Sequence, residues 1–153
     1  MIYTFKNTQL IKCDLMTVWK FFSNPKNING LTPKKMHFRT ITKNLPDQIH
    51  EKMVIVYHVS PLFSIPLKWV TTIISVVPNQ SFIDIQQRGP FKKWHHLHTF
   101  TETKDGVLMT DLVTYELPFG IIGDLTHNIL VKKEIEKLFQ YRTHIIHTYF
   151  KNE

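Results

Sequence analysis

The chain has 153 residues, 42% hydrophobic and 20% charged, which fits one domain (1–153) with a single sizeable core and no repeat or low-complexity tract. No run approaches the roughly 18 apolar residues of a membrane span, and the opening MIYTFKNTQLIKC lacks the apolar core of a signal peptide. The formal charge of +7 is spread over short clusters (Lys34-Lys35, Lys92-Lys93, Lys132-Lys133) rather than gathered on one face, so no nucleic-acid partner is expected.

Residues 2–12 alternate as an opening strand. The single cysteine, Cys13, allows no internal disulfide, and a cytoplasmic location is expected. Asp14 reads as the N-cap of a short helix whose Leu15, Val18, Trp19 and Phe22 form one apolar stripe. Asn24-Pro25 predicts a second short helix with Ile28 and Leu31 turned inward, closed by Thr32-Pro33. Strands rich in Ile and Val are predicted at 36–42 and 51–59, with a loop at 44–47 between them. Four more follow at 67–77, 81–87, 91–103 and 107–117, separated by Pro78-Asn79, Gly89-Pro90 and Asp105-Gly106. A helix over about 124–150 carries the stripe Leu125, Ile129, Ile135, Leu138, Phe139, Ile145, Ile146 and Tyr149. This order predicts an α+β architecture in which one curved antiparallel sheet wraps around a long C-terminal helix.

The turns fix which side chains share a face. Closing at Asp105-Gly106 pairs Phe100 with Asp111, His98 with Val113, His96 with Tyr115 and Trp94 with Leu117. Closing near Gly89-Pro90 pairs Asp84 with Trp94 and Phe82 with His96; closing at Asn79-Gln80 pairs Ser75 with Asp84 and Ile73 with Gln86. One face then carries Trp69, Thr71, Ile73, Ser75, Phe82, Asp84, Gln86, Trp94, His96, His98, Phe100, Asp111, Val113 and Tyr115. Both faces have apolar members, and aromatic bulk selects this one as inward while the lysines of the other point to solvent. Its buried charges need partners, which puts Asp84 diagonal to His96 and Asp111 diagonal to His98. Arg142, on the helix stripe, would reach the aspartates or an acidic ligand.

These residues admit three chemistries. His96-x-His98 with Asp84 or Asp111 could complete a two-histidine, one-carboxylate metal set, although mutual hydrogen bonding explains the same residues and no metal is expected. A histidine oriented by an aspartate, beside Tyr115 as proton donor, would suit acid–base chemistry of a cyclase or dehydratase. The preferred reading is a polar patch that orients the head group of a bound ligand. No nucleophile motif, phosphate loop or cofactor fingerprint is present, so no cofactor is expected and no catalytic residue is assigned.

The second-helix proline and the pattern GPFxxWxHxHxF…DG…DxVxYxxPxG…L…YR resemble the START/birch-pollen-allergen-like (SRPBCC) superfamily over essentially the whole chain. The nearest subgroup is the stand-alone bacterial ligand-binding proteins grouped with polyketide cyclase and coenzyme Q-binding relatives. Matching positions are Trp94, His96, His98, Phe100, Asp111, Val113, Tyr115, Pro118, Gly120 and Arg142. The resemblance implies a helix-grip fold with a hydrophobic cavity for lipids, polyketides, sterols or quinones; most members bind or carry, and a minority are enzymes. The expected ligand-binding residues are Trp69, Thr71, Asp84, Gln86, Trp94, His96, His98, Phe100, Asp111, Tyr115 and Arg142. Apart from the resemblance, the apolar loops at 62–65 and 119–122 are expected to pack against each other, a use compatible with guarding the cavity mouth and touching a membrane surface transiently.

Overall fold

Strand β1 (Ile2–Ile11) turns every second residue inward, from Tyr3 to Ile11, as its alternation requires. The computed structural model describes residues 1–60, 65–118, 120 and 130–151. Asp14 caps α1 (Leu15–Phe22) by accepting the Thr17 backbone N–H at 3.0 Å, and Val18 and Trp19 are buried beneath it. Asn24 caps the next segment similarly, but Pro25–Asn29 is a 3-10 turn rather than an α-helix. Its carbonyls bond three residues ahead, Asn27 to Gly30 and Ile28 to Leu31, which suits a segment too short to propagate.

A second 3-10 turn, Lys34–Met36, ends at His37 with φ of 45° and replaces the start of the strand predicted at 36–42. Only β2 (Arg39–Thr40) pairs there. Lys52, at φ of 65°, delays the next strand, so β3 runs Val54–Val59. Strands β4 (Leu67–Val77), β5 (Ser81–Arg88), β6 (Lys93–Thr103) and β7 (Gly106–Glu116) complete an antiparallel sheet ordered β1-β7-β6-β5-β4-β3-β2. Helix α2 (Lys132–Phe150) lies on its inner face, burying Ile135, Phe139, Ile146 and Phe150. Tyr149, predicted in the stripe, is 45% exposed, and Phe150, one helical turn after Ile146, takes the inward place. Leu125 and Ile129, the start of the predicted helix and most of the two apolar loops lie outside the described residues. No helix among the described residues is long and apolar enough to cross a membrane.

Three registers differ from those predicted, each for a visible reason. The β6–β7 turn centres on Lys104-Asp105, with Thr103 opposite Gly106. The Thr103 hydroxyl donates to Gly106 O at 2.9 Å and accepts from Asp105 N at 3.3 Å. Gly106 belongs to the strand: its φ is 131°, and a Cβ there would fall 2.2 Å from Ile11 O. At the β5–β6 loop, Gln86 bonds the backbone of Phe91 through both ends of its amide, at 2.6 and 3.3 Å, which lengthens the loop. Both shifts are of two residues and leave every side chain on its predicted face.

The β4–β5 turn is off by one, pairing Val77 with Ser81, and a bulge between Ile73 and Ser75 restores the parity, so Ile73 faces Asp84. Ser75 consequently leaves the inner face and Val76 enters it.

Two apolar clusters fill the space between sheet and helix. One gathers Trp19, Phe82, Phe100, Met109, Ile146 and Phe150; the other gathers Trp94, Val113, Tyr115, Leu117, Ile135 and Phe139. Along β5, β6 and β7 a row of polar residues separates them: Asp84, His96, His98 and Asp111. On β1, the inward Asn7 and Gln9 bond Thr143 of α2, at its hydroxyl (3.4 Å) and its carbonyl (2.9 Å).

Candidate functional site

The strand registers put Asp84 directly opposite His96 and His98 directly opposite Asp111, whereas the sequence reading had each aspartate diagonal to its histidine. The hydrogen bonds themselves cross the ladder. His96 Nε2 lies 3.0 Å from Asp111 Oδ1, and His98 Nε2 lies 3.1 Å from Asp84 Oδ2. The second ring nitrogens approach the other carboxylates. His98 Nδ1 is 3.0 Å from Asp111 Oδ1 but out of line for a hydrogen bond, and His96 Nδ1 is 3.6 Å from Asp84 Oδ2. The two imidazoles lie 3.8 Å apart between their centroids, and Phe82 stacks on the outer face of His98 at 4.0 Å. Phe139 and Trp94 present edge-on contacts to His96 at 5.7 and 6.3 Å.

Charge follows from this arrangement. Burial pushes the Asp111 carboxyl up, but the hydrogen bond from His96 and the close ring of His98 overcome it and hold the group well below the usual carboxylate range. Asp84 behaves likewise: burial raises it, and the His98 bond, with the charges of His96, His98 and Arg142, brings it below its ordinary value. Burial lowers both histidines. For His98 the contacts to Asp111 and Asp84 outweigh burial and raise it, whereas His96, pushed down further by His98 beside it, stays lowered. The distances follow the same order: both ring nitrogens of His98 lie within 3.1 Å of an aspartate oxygen, whereas only one of His96 does.

Arg142 rises from α2 with its guanidinium 5.2 Å from the centre of the Phe139 ring. Its Nε donates to Leu31 O at 3.1 Å, its only hydrogen bond among the described residues. Burial lowers its pKa, while Asp111, Asp84 and Tyr57 pull the other way.

These groups open onto a cavity of about 150 Å³ between sheet, α2 and the 3-10 turn that follows α1. Of the residues expected to bind a ligand, Trp69, Thr71, Asp84, Trp94, His96, His98, Asp111 and Arg142 line it. Gln86, Phe100 and Tyr115 do not. Gln86 closes the β5–β6 loop, as described above. Phe100 is packed into the core, edge-on to Trp19 at 5.6 Å. Tyr115 sits among Tyr3, Phe91 and Trp94, where burial pushes its hydroxyl up to about 12. Tyr115, the proton donor of the acid–base alternative, therefore lies outside the cavity lining.

Three walls went unassigned from sequence. Tyr57 and Ile55 come from β3, Phe22, Ile28 and Leu31 from α1 and the turn after it, and Leu138 and Ile146 from α2. The alternation of Ile55, Tyr57 and Val59 is a readable signal, and β3 pairs Tyr57 with Trp69. No turn signal fixes that pairing, because the connection from Val59 to Leu67 is long.

No family model matches the chain, and no curated protein matches it. Solved structures do. The di-domain ARO/CYC StfQ of the steffimycin biosynthetic pathway superposes with a TM-score of 0.74 at 7% identity, over 99% of this chain and 52% of that one. Ara h 8.0201 is a second match, with a TM-score of 0.63 at 13% identity over all of both chains. Protein Ms6760 from Mycobacterium smegmatis matches with a TM-score of 0.65 at 13% identity, over 94% of this chain and 90% of that one. The chain has the same helix-grip fold as these structures. At such identities the likeness concerns the backbone, and the helix-grip frame says where a cavity forms, not what fills it.

Proposed function

We propose that this helix-grip protein binds one small, largely apolar molecule whose polar end rests on the Asp84, His96, His98 and Asp111 cluster. The observation that carries this reading is the cavity, where an aromatic and aliphatic wall meets the buried His96, His98 and Asp111 and the half-buried Asp84 and Arg142. A cavity of about 150 Å³ accepts a body the size of one benzene ring. Trp69, Trp94 and Phe82 offer flat surfaces for it, and Thr71, the imidazoles and Arg142 offer hydrogen-bonding partners for an oxygen-bearing end. The superfamily resemblance points the same way. Carriage or storage is favoured over catalysis because the histidines and aspartates hydrogen-bond one another rather than the hydroxyls of Tyr57 and Thr71 that also line the cavity.

Titration with p-cresol, followed through the indole N–H resonances, tests the reading. Saturable shifts at Trp69 and Trp94, with Trp19 unmoved, are expected. The His96→Ala variant should bind at least tenfold more weakly while keeping a cooperative melt. Absence of saturable shifts, together with no small molecule retained in native mass spectrometry of protein from its own source, overturns the proposal.

A further inference from the structure

We propose that Asp84, His96 and His98 form a binding site for a divalent first-row transition metal, with Asp111 holding both imidazoles in the orientation that coordination requires. Each imidazole turns one nitrogen to each aspartate. His96 presents Nδ1 to Asp84 and Nε2 to Asp111, and His98 presents Nε2 to Asp84 and Nδ1 to Asp111. At the Asp84 end three side chains thus converge, and one donor atom from each lies within 4.8 Å of the other two.

The spacing suits an ion. Metal–ligand bonds of about 2.0–2.2 Å at tetrahedral angles separate neighbouring donor atoms by about 3.3–3.5 Å. The separations from Asp84 Oδ2 are 3.1 Å to His98 Nε2 and 3.6 Å to His96 Nδ1, on either side of that value. A modest turn of the rings closes the third edge.

The Asp111 end supplies the complement. A metal-bound imidazole donates its other ring N–H to a carboxylate or carbonyl, which fixes tautomer and orientation. Both far nitrogens lie 3.0 Å from a single oxygen, Asp111 Oδ1. Of the three ligand atoms, His96 Nδ1 has no hydrogen bond among the described residues, while His98 Nε2 and Asp84 Oδ2 share one proton between them that an ion would replace. With its Nε2 proton on Asp111, His96 offers a lone pair at Nδ1 towards Asp84. On binding, the ion replaces the proton of His98 Nε2, which passes to solvent, and its double charge balances the two carboxylates.

Two imidazoles and a carboxylate suit zinc, iron or cobalt better than calcium or magnesium. All three ligands border the cavity, so the remaining coordination position opens into it, towards water or an oxygen of a bound molecule. This inference does not require an organic ligand, and its test uses the metal alone.

Chelator-treated protein titrated with Co²⁺ should develop visible d–d absorption saturating at one equivalent, and Zn²⁺ should displace it. His96→Ala and Asp84→Asn should each lose the absorption, and Asp111→Asn should keep the stoichiometry with affinity lowered about 10–100-fold. Because these positions are buried, imidazole nitrogen resonances of the wild-type protein provide a second readout. Zn²⁺ should shift His96 Nδ1 and His98 Nε2 and leave the exposed His37, His50, His58 and His95 in place. No stoichiometric uptake at micromolar metal, uptake unchanged in the folded His96→Ala variant, or shifts confined to the exposed histidines overturns the proposal.

Discussion

His98 is held at both faces and both nitrogens and meets the cavity only along its edge: Phe82 covers one face, His96 the other, and an aspartate oxygen stands at each ring nitrogen. A ring so held cannot rotate to solvent, so its interactions are settled by the two carboxylates. Asp111 contributes most, because one of its oxygens serves both histidines. Asp111→Asn removes the charge while keeping the shape, and should destabilise the metal-free fold by about 3–5 kcal/mol, the usual cost of breaking a buried pair from one side. Urea unfolding measures this, and a loss below about 1 kcal/mol contradicts it. At the surface the stakes are smaller. Asp14→Ala removes the α1 cap bond and should cost about 1 kcal/mol by the same measurement.

Among the elements, the inner face was legible and its exact pairing was not. Period-two alternation carries face information alone, so two-residue register errors on β5–β6 and β6–β7 left Asp84, His96, His98 and Asp111 together. Asp105-Gly106 misled because Asp-Gly is a strong two-residue hairpin signal, while the glycine here serves a close approach to Ile11. The bulge at Ile74 had no sequence marker, and it decides that Val76 rather than Ser75 faces inward. Side-chain capture of a loop, as Gln86 captures Phe91, likewise leaves no periodic trace. The cavity was inferable only as a class, because the walls from β3 and from the segment after α1 depend on how the chain returns over the sheet. Gly106→Ala tests the strand assignment. With φ of 131° and Ile11 O in the way, it should cost more than about 1 kcal/mol, read as a lowered urea midpoint. A neutral result would return the glycine to a turn role.

For the molecule as a whole, the polar row between two apolar clusters means that the cavity and the core are not separable. A guest that fills the cavity supports both clusters, and its binding energy adds to that of folding. At a concentration a hundredfold above its Kd, a guest should add about 2.7 kcal/mol. For a chain of this length that corresponds to about 5–11 °C in Tm, at about 2–4 °C per kcal/mol. Calorimetry with and without p-cresol checks this, and an unchanged Tm at saturating guest contradicts it.

Asn7 and Gln9 carry a different consequence. A purely greasy seam between a helix and a sheet lets the helix slip along its axis or roll, since one methyl group substitutes for another. The amide of Gln9 grips a main-chain oxygen of α2, and Asn7 grips the side chain of the same residue, Thr143. They act as a key in a shaft, fixing both the phase and the depth of the helix. A chamber indexed in this way keeps its shape between guests, which favours selection by fit over accommodation by swelling.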